Sequence, residues 1–353
     1  MNSIKVFRVF GTLTLIFLFL LILAGGIVRA TGSGMGCPDW PKCFGQYIPP
    51  TNINQVSFLP NKLYSKGVFI IYNNRLYYSK SEFTSSSSFN LNDWKVFEEH
   101  NYTIFNPVQT WIEALNRYLG VFVGFWVLGM FIYSFILYKK FKYSDNSPIF
   151  KRILIYSFIA LLLVIIQGGI GKYLVSSNLK ANFLIAHMLF TYTVIYAVVY
   201  VLFYTDFNKS IITFDHKYSK FLIIAIILTI IQTVLGTQVT KNVEFLFRSL
   251  YRRDDVIDFV NIFFYIHRSF SIILFLTNLY LFIYAFKNKL DVFYIKFSLI
   301  IVIVLFLEIC FGVCLNYFNY PMFAQPLHLL FAMILITIQS YTFIKANSFR
   351  LVN

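Results

Sequence analysis

The sequence predicts an all-α polytopic membrane protein, with eight transmembrane helices arranged as two pseudo-symmetric four-helix bundles. Three observations predict it. Of 353 residues, 58% are hydrophobic and only 13% charged, outside the range of a soluble globular chain. The apolar residues gather into eight runs, each with the roughly 20 residues a helix needs to cross the hydrocarbon. None of these runs keeps the alternation of a barrel strand throughout, and a lipid-exposed backbone must satisfy itself within a helix or a closed barrel.

In chain order the predicted spans are roughly 7–29, 111–137, 152–174, 181–204, 219–239, 260–285, 293–315 and 324–344. The first starts within a few residues of Met1, and Arg29 with the motif after it argues for a retained helix rather than a cleaved leader. A long loop, 30–110, follows it. The loop opens on GSGMGCPDWPKCFGQYIPP, where Pro and Gly punctuate a compact, turn-rich segment. Further on, Gly67 to Tyr72 and Arg75 to Tyr78, separated by Asn73-Asn74, read as a hairpin. Ser85–Ser88 read as flexible. The loop forms either a small cap over the external face or an insertion with no chemical role, and the insertion is placed at about 51–100.

The net charge of +15 does not point to nucleic acid, because the basic residues cluster between apolar runs. One side carries Lys5, Arg8, Lys139, Lys140, Lys142, Lys151, Arg152, Lys209, Lys217, Lys220, Lys287, Lys289, Lys296, Lys345 and Arg350. The other side's short loops hold Lys172 and Lys180, a mixed stretch from Lys241 to Asp258, and no charge near Pro321. The positive-inside rule then puts both termini in the cytoplasm, and a bacterial cytoplasmic (inner) membrane is the simplest location.

Residues 1–210 and 211–353 read as two versions of one unit. IEALNRYLG on the second helix stands against FYIHRSF on the sixth, which sets Asn116-Arg117 opposite His267-Arg268. LIAHMLF on the fourth matches QPLHLLF on the eighth through His187 and His328. Glycine near the outer end, followed by a short polar run, recurs on the first, third, fifth and seventh helices. Those glycines permit close packing in any membrane protein, and their recurrence at one end favours a repeated architecture.

An imidazole in hydrocarbon needs a partner, and His267 and His328 lie at similar depth on separate helices. Such a pair suits the two faces of a heme iron, and Arg268 suits a propionate. Two hydrogen-bonded core histidines are the alternative. His187 has the same placement in the first half, but Asn116 stands where its partner is expected. Glu113 and Arg117 form an i,i+4 pair, read either as a plain salt bridge or as Arg117 holding a propionate and leaving Glu113 free for chemistry. Cys37 and Cys43 are a disulfide candidate in an oxidising compartment, whereas Cys310 and Cys314 read as packing residues. His216, in a loop, and His100 have no constellation around them. GGIGKY at Gly168–Tyr173 lacks the spacing of a phosphate loop.

These motifs resemble the heme A synthase family, which serves cytochrome c oxidase assembly, over nearly the whole chain. GGIVRATGSGMGCPDWPKCFGQYIPP at 25–50 carries the resemblance most specifically. W-I-E-x-x-x-R at 111–117, IIQGGIG with His187, GTQVT at 236–240, IHR at 266–268 and LNYFNYP with QPLHL at 315–329 support it. The resemblance implies oxidation of the C8 methyl of heme O to the formyl of heme A. It implies a heme b (iron) cofactor between His267 and His328, with Arg268 at a propionate. It also implies heme O as substrate in the first half, with Glu113 catalytic, His187 an iron ligand, and Asn116 and Arg117 at the substrate heme.

The Cys37–Cys43 pair matches a disulfide that some members use. Many relatives have histidine where this chain has Asn116, so the substrate iron is left five-coordinate, or with water, or with a ligand from elsewhere. A partner implied by the family is the heme O synthase (farnesyltransferase). A quinone or other electron acceptor, membrane lipid and a homo-oligomer complete the expected partners, with no nucleic acid. The reading from another class is a diheme b-type electron-transfer protein that oxidises quinol without modifying heme.

Overall fold

All eight apolar runs fold as helices long and apolar enough to cross a membrane, so the chain is a multi-pass membrane protein. They are α1 (Asn2–Ala30), α2 (Pro107–Phe141), α3 (Ser147–Ser176), α4 (Ala181–Tyr204), α5 (His216–Leu250), α6 (Ile262–Lys287), α7 (Val292–Tyr317) and α8 (Ala324–Ala346). The computed structural model describes residues 2–98, 105–177, 179–205, 212–250 and 256–347. His100, Lys209, Arg350 and the middle of the Lys241–Asp258 stretch lie outside the described residues. His216, expected in a loop, is instead the first residue of α5.

Local chemistry sets several of the starts. Asn106 caps α2 by accepting from the backbone N–H of Val108 and Gln109 at 3.0 and 3.2 Å, with Pro107 in the first turn. Asn261 caps α6 through Phe263 N–H at 3.1 Å, and Asp291 caps α7 through Phe293 N–H at 2.8 Å.

Helices adjacent in sequence pack together within α1–α4 and within α5–α8. Between those groups, α1 packs on α8, α4 on α5, and α4 on α8, while α1 also meets α4 and α5 meets α8. This set of packed pairs maps onto itself when α1–α4 are exchanged with α5–α8. The most enclosed helices are α4 and α8, which carry His187 and His328. The outward faces of the flanking helices present Phe125, Ile165, Ile272 and Phe306.

Several polar side chains in the bundle pair across helices. Thr229 donates to Gln339 Oε1 at 3.0 Å and Gln339 donates to Asn278 Oδ1 at 3.1 Å, a fully buried chain across α5, α8 and α6. The hydroxyls of Tyr192 and Thr233 share a hydrogen bond between α4 and α5. Arg29 at the end of α1 pairs with Glu244 of α5 at 3.0 Å, and Lys241 reaches the other oxygen of Glu244 at 3.4 Å.

The long loop is ordered over its described residues. Strands β1 (Leu63–Tyr64), β2 (Phe69–Tyr72), β3 (Arg75–Ser79), β4 (Phe83–Thr84) and β5 (Trp94–Val96) form antiparallel sheets in the orders β1-β4 and β2-β3-β5. Asn73 and Asn74 make the predicted hairpin turn with φ of 47° and 57°, a conformation that asparagine tolerates. Trp94, Tyr64, Ile70 and Tyr77 form the core of this unit.

The flexible reading of Ser85–Ser88 is corrected at its first residue. Ser85 is buried, donates to Leu59 O at 2.7 Å and accepts from Lys62 N–H at 3.0 Å. A second cluster, with Phe44, Phe69 and Val56, seats the loop on Ala114 of α2. Gly45, at φ +76°, lies where a side chain would collide with the backbone of Gly67 and Val68.

The α1–α8 contact rests on Gly26. A methyl group there would sit 2.9 Å from Pro326 Cα, a backbone atom that cannot swing away. We expect Gly26→Val to force the two helices apart and cost about 1–3 kcal/mol, read as a lower thermal midpoint in detergent. Gly168→Ala is the control, because nothing lies within 4 Å of its added methyl. Equal midpoints for the two variants would contradict this packing.

Candidate functional site

The rings of His267 on α6 and His328 on α8 face each other, with centroids 6.2 Å apart and planes at 80°. Metal–imidazole bonds of about 2 Å on either side of one ion would set ring centres roughly 6 Å apart. The observed separation fits an axial pair. Glycines make room for both rings. A methyl on Gly236 of α5 would lie 2.9 Å from His267 Cε1, and one on Gly312 of α7 would lie 3.4 Å from His328 Cε1.

The backbone around the pair is arranged to present it. His328 Nδ1 lies 2.9 Å from the carbonyl of Glu308; a carbonyl only accepts, so Nδ1 carries the proton and Nε2 keeps its lone pair. Gln232 Nε2 donates to the carbonyl of His267 at 3.0 Å. His267 Nδ1 is buried with no hydrogen-bond partner among the described residues.

A cavity opens between these helices, walled by His267, His328, Gly236, Gly312 and Glu308, with Thr240, Asn316, Gln325 and Arg29 also lining it. Arg268 is not on that wall. It lies exposed on α6, its guanidinium 5.7 Å from the ring centre of Phe264 and 5.5 Å from that of Tyr265. The guanidinium on the wall is that of Arg29, which the sequence reading left without a chemical role. Among the described residues, no group of three or more His, Cys, Asp or Glu could hold a bare ion.

The first half repeats the arrangement with different side chains. A methyl on Gly171 of α3 would lie 3.6 Å from His187 Cε1, and one on Gly25 of α1 would lie 4.0 Å from Asn116 Oδ1. Each ligand position of the repeat therefore faces a glycine on the preceding helix, and three of the four hold histidine. Gln167 Nε2 donates to the carbonyl of His187 at 2.8 Å and to Thr191 Oγ1 at 2.7 Å. Unlike its counterpart in His328, His187 Nδ1 is buried without a hydrogen-bond partner among the described residues, as is Asn116 Oδ1.

One turn before Asn116, Glu113 is buried and fully engaged. Its Oε1 accepts from Arg117 Nη2 and its Oε2 accepts from Cys37 N–H at 2.9 Å. Arg117 Nη1 donates to the carbonyls of Asp39 and Lys42 at 2.6 and 2.9 Å. Both carbonyls lie inside the ring closed by the Cys37–Cys43 disulfide, which is formed with an S–S distance of 2.03 Å. Thr110 adds a bond to Gly36 O at 2.9 Å.

The Glu113–Arg117 pair is formed, and Arg117 also clamps the disulfide ring. Asp39 in that ring accepts from Gly45 N–H at 2.9 Å. Burial raises its carboxyl above the ordinary value, against the lowering pull of the Gly45 and Phe44 amides and of Arg117. Cys310 and Cys314 are free thiols on α7.

Sequence reasoning also passed over Glu308. It occupies the position of Gln167 in the repeat, four residues before the ligand-facing glycine in each case. Its Oε2 is buried without a hydrogen-bond partner among the described residues. A lone carboxyl in the middle of an apolar run was the available signal.

A family profile described as "Cytochrome oxidase assembly protein" matches residues 8–66 and 90–340. The unmatched stretch falls within the β-strand unit of the loop, inside the insertion expected at about 51–100. The chain is 26% identical over 359 residues to the heme A synthase of Rickettsia africae, covering 90% of this chain and 91% of that protein. It is 24% identical over 177 residues to the heme A synthase of Shewanella oneidensis, covering 50% of this chain and 39% of that protein. It is 28% identical over 185 residues to the heme A synthase of Orientia tsutsugamushi (strain Ikeda), covering 52% and 42%. The chain thus spans about two-fifths of the length of the Shewanella and Orientia relatives.

If Gly236 makes room for the His267 ring, Gly236→Ala should drive the imidazole off the axis it shares with His328. We expect heme taken up by the purified variant to lose the low-spin absorbance of two axial imidazoles, while Gly168→Ala retains it. An unchanged spectrum for Gly236→Ala would contradict the assigned contact.

Proposed function

The chain belongs to the cytochrome oxidase assembly protein family, and on that premise we propose that it is a heme A synthase. In this reading it oxidises the C8 methyl of heme O to the formyl group of heme A, for cytochrome c oxidase. The observation that carries the reading is the repeated ligand register: one copy with two imidazoles, the other with a single imidazole one turn from a buried carboxylate.

Division of labour between the halves follows. Residues 211–353 would hold heme b through His267 and His328, and residues 1–210 would receive heme O at His187. Heme b, when bound, supplies one-electron redox chemistry. The carbonyl of Glu308 fixes the tautomer of His328, so that Nε2 faces the cavity. Gly236 and Gly312 let the neighbouring helices close on the rings without displacing them. Arg29, already paired with Glu244, lines the cavity, and its guanidinium would suit a propionate there.

Methyl-to-formyl conversion removes four electrons and brings in one oxygen atom, so protons must leave the reacting carbon. Glu113 is the group proposed to take one. Its carboxylate is held between Arg117 and the Cys37 amide, which keeps it positioned. To accept a proton at Oε1 or Oε2, it exchanges one of those bonds. The disulfide ring, gripped by Arg117, holds the lid of the loop on this side of α2. Orientation with both termini in the bacterial cytoplasm, delivery of heme O by its farnesyltransferase, and a quinone or other electron acceptor complete the proposal.

The test supplies heme O to cells expressing the full-length chain, then extracts bound hemes for chromatography with mass detection. Heme b together with heme A, or its hydroxylated precursor, is the expected result. Heme b with unmodified heme, while heme O is demonstrably available, would instead favour the diheme electron carrier. Glu113→Gln should lower conversion by about 10²-fold or more while leaving heme b content intact. Full conversion in that variant would remove Glu113 from the chemistry.

A further inference from the structure

The two copies of the ligand register differ at one atom-bearing position, and that difference has a chemical consequence. Gly236 faces His267, Gly312 faces His328, and Gly171 faces His187, each within reach of the ring's Cε1. At the fourth position, Gly25 faces a carboxamide, Asn116. The helix pairs that bring the second-half rings to 6.2 Å are matched one for one in the first half. Asn116 therefore stands at the register of a second axial imidazole without being one.

Two further observations separate the sites. The His328 ring is locked by a hydrogen bond from Nδ1 to Glu308 O, whereas His187 Nδ1 has no hydrogen-bond partner among the described residues. Such a bond to the remote nitrogen orients an imidazole and makes it a stronger ligand. His267 Nδ1 lacks such a bond too, so the difference lies between His187 and His328, the equivalent positions of the two halves. Meanwhile Asn116 Oδ1 is buried and unpartnered, at a cost that a small bound molecule would relieve.

We propose that the first-half site binds heme through His187 alone and keeps the opposite axial position for a small exogenous ligand, with the Asn116 carboxamide beside it as a hydrogen-bonding group. The ligand class is a neutral molecule of one or two heavy atoms, water in the resting state and a diatomic gas as competitor. The inference rests on the assignment of heme O to the first half. It adds that this iron is accessible while the His267–His328 iron is not.

The experiment uses the full-length chain in detergent with heme O supplied, reduced with dithionite and exposed to carbon monoxide. We expect carbon monoxide to shift the absorbance of one heme, the one lost in His187→Ala, and to leave the other unchanged. Asn116→His should complete an imidazole pair and abolish the shift with both hemes retained. Asn116→Ala guards against a variant that fails to load: it should keep carbon monoxide binding and move the infrared stretch of the bound gas.

A wild-type protein with both hemes bound and no response to carbon monoxide would overturn the proposal. So would an undiminished shift in Asn116→His, or an unmoved stretch in Asn116→Ala. Mass detection on the same sample separates the two readings. Heme A formed without carbon monoxide binding sinks only this inference, while carbon monoxide binding with heme O unconverted sinks only the synthase. A chain that takes up no second heme overturns both.

Discussion

The organisation of this protein depends on glycine opposite imidazole. An imidazole packed within a helical bundle has little room, because any side chain on the facing helix would occupy its place. Gly236 and Gly312 remove that obstacle with their backbones, at separations where a single methyl would touch the ring. Once those contacts are fixed, much else follows. Helix α5 must lie on α6, and α7 on α8, at the same depth. The same requirement repeated at Gly171 and Gly25 makes the packed pairs of the first half correspond to those of the second. The enclosed helices α4 and α8 are the ones that carry His187 and His328.

A second constraint operates at the mouth of the first half. Glu113 is buried near the start of α2, where an unpaired carboxylate would be costly, so Arg117 and the Cys37 amide surround it. Because Arg117 also binds two carbonyls inside the disulfide ring, the loop is fastened to the helix by the same group that stabilises the carboxylate. Loop position and carboxylate position are therefore one variable. The strand unit beyond the ring, packed around Trp94, joins it through Phe69 and includes the stretch the family profile does not match.

Much of this was legible in the sequence because it is written locally. Eight apolar runs gave eight helices, the Asn73-Asn74 pair gave the hairpin turn, and two cysteines six apart gave the disulfide. The pairing of His267 with His328 was legible from depth and repetition. What escaped depends on direction rather than spacing. Arg268, expected at a propionate, follows His267 on the helix, where adjacent residues point about 100° apart, and here it lies over its own helix's aromatic rings. Arg29, distant in sequence, reaches the cavity because α1 packs on α8, whose His328 also lines it. Ser85 looked like the start of a polar linker, but its hydroxyl closes the chain around Leu59 and Lys62.

The central claim is that one register is a complete axial pair and the other is not. Electron paramagnetic resonance of the oxidised full-length protein, purified without added heme O, tests it most directly. The account predicts a low-spin bis-imidazole signal that disappears in His267→Ala and in His328→Ala and persists in His187→Ala. A signal that survives loss of His328, or that vanishes with His187, would contradict it.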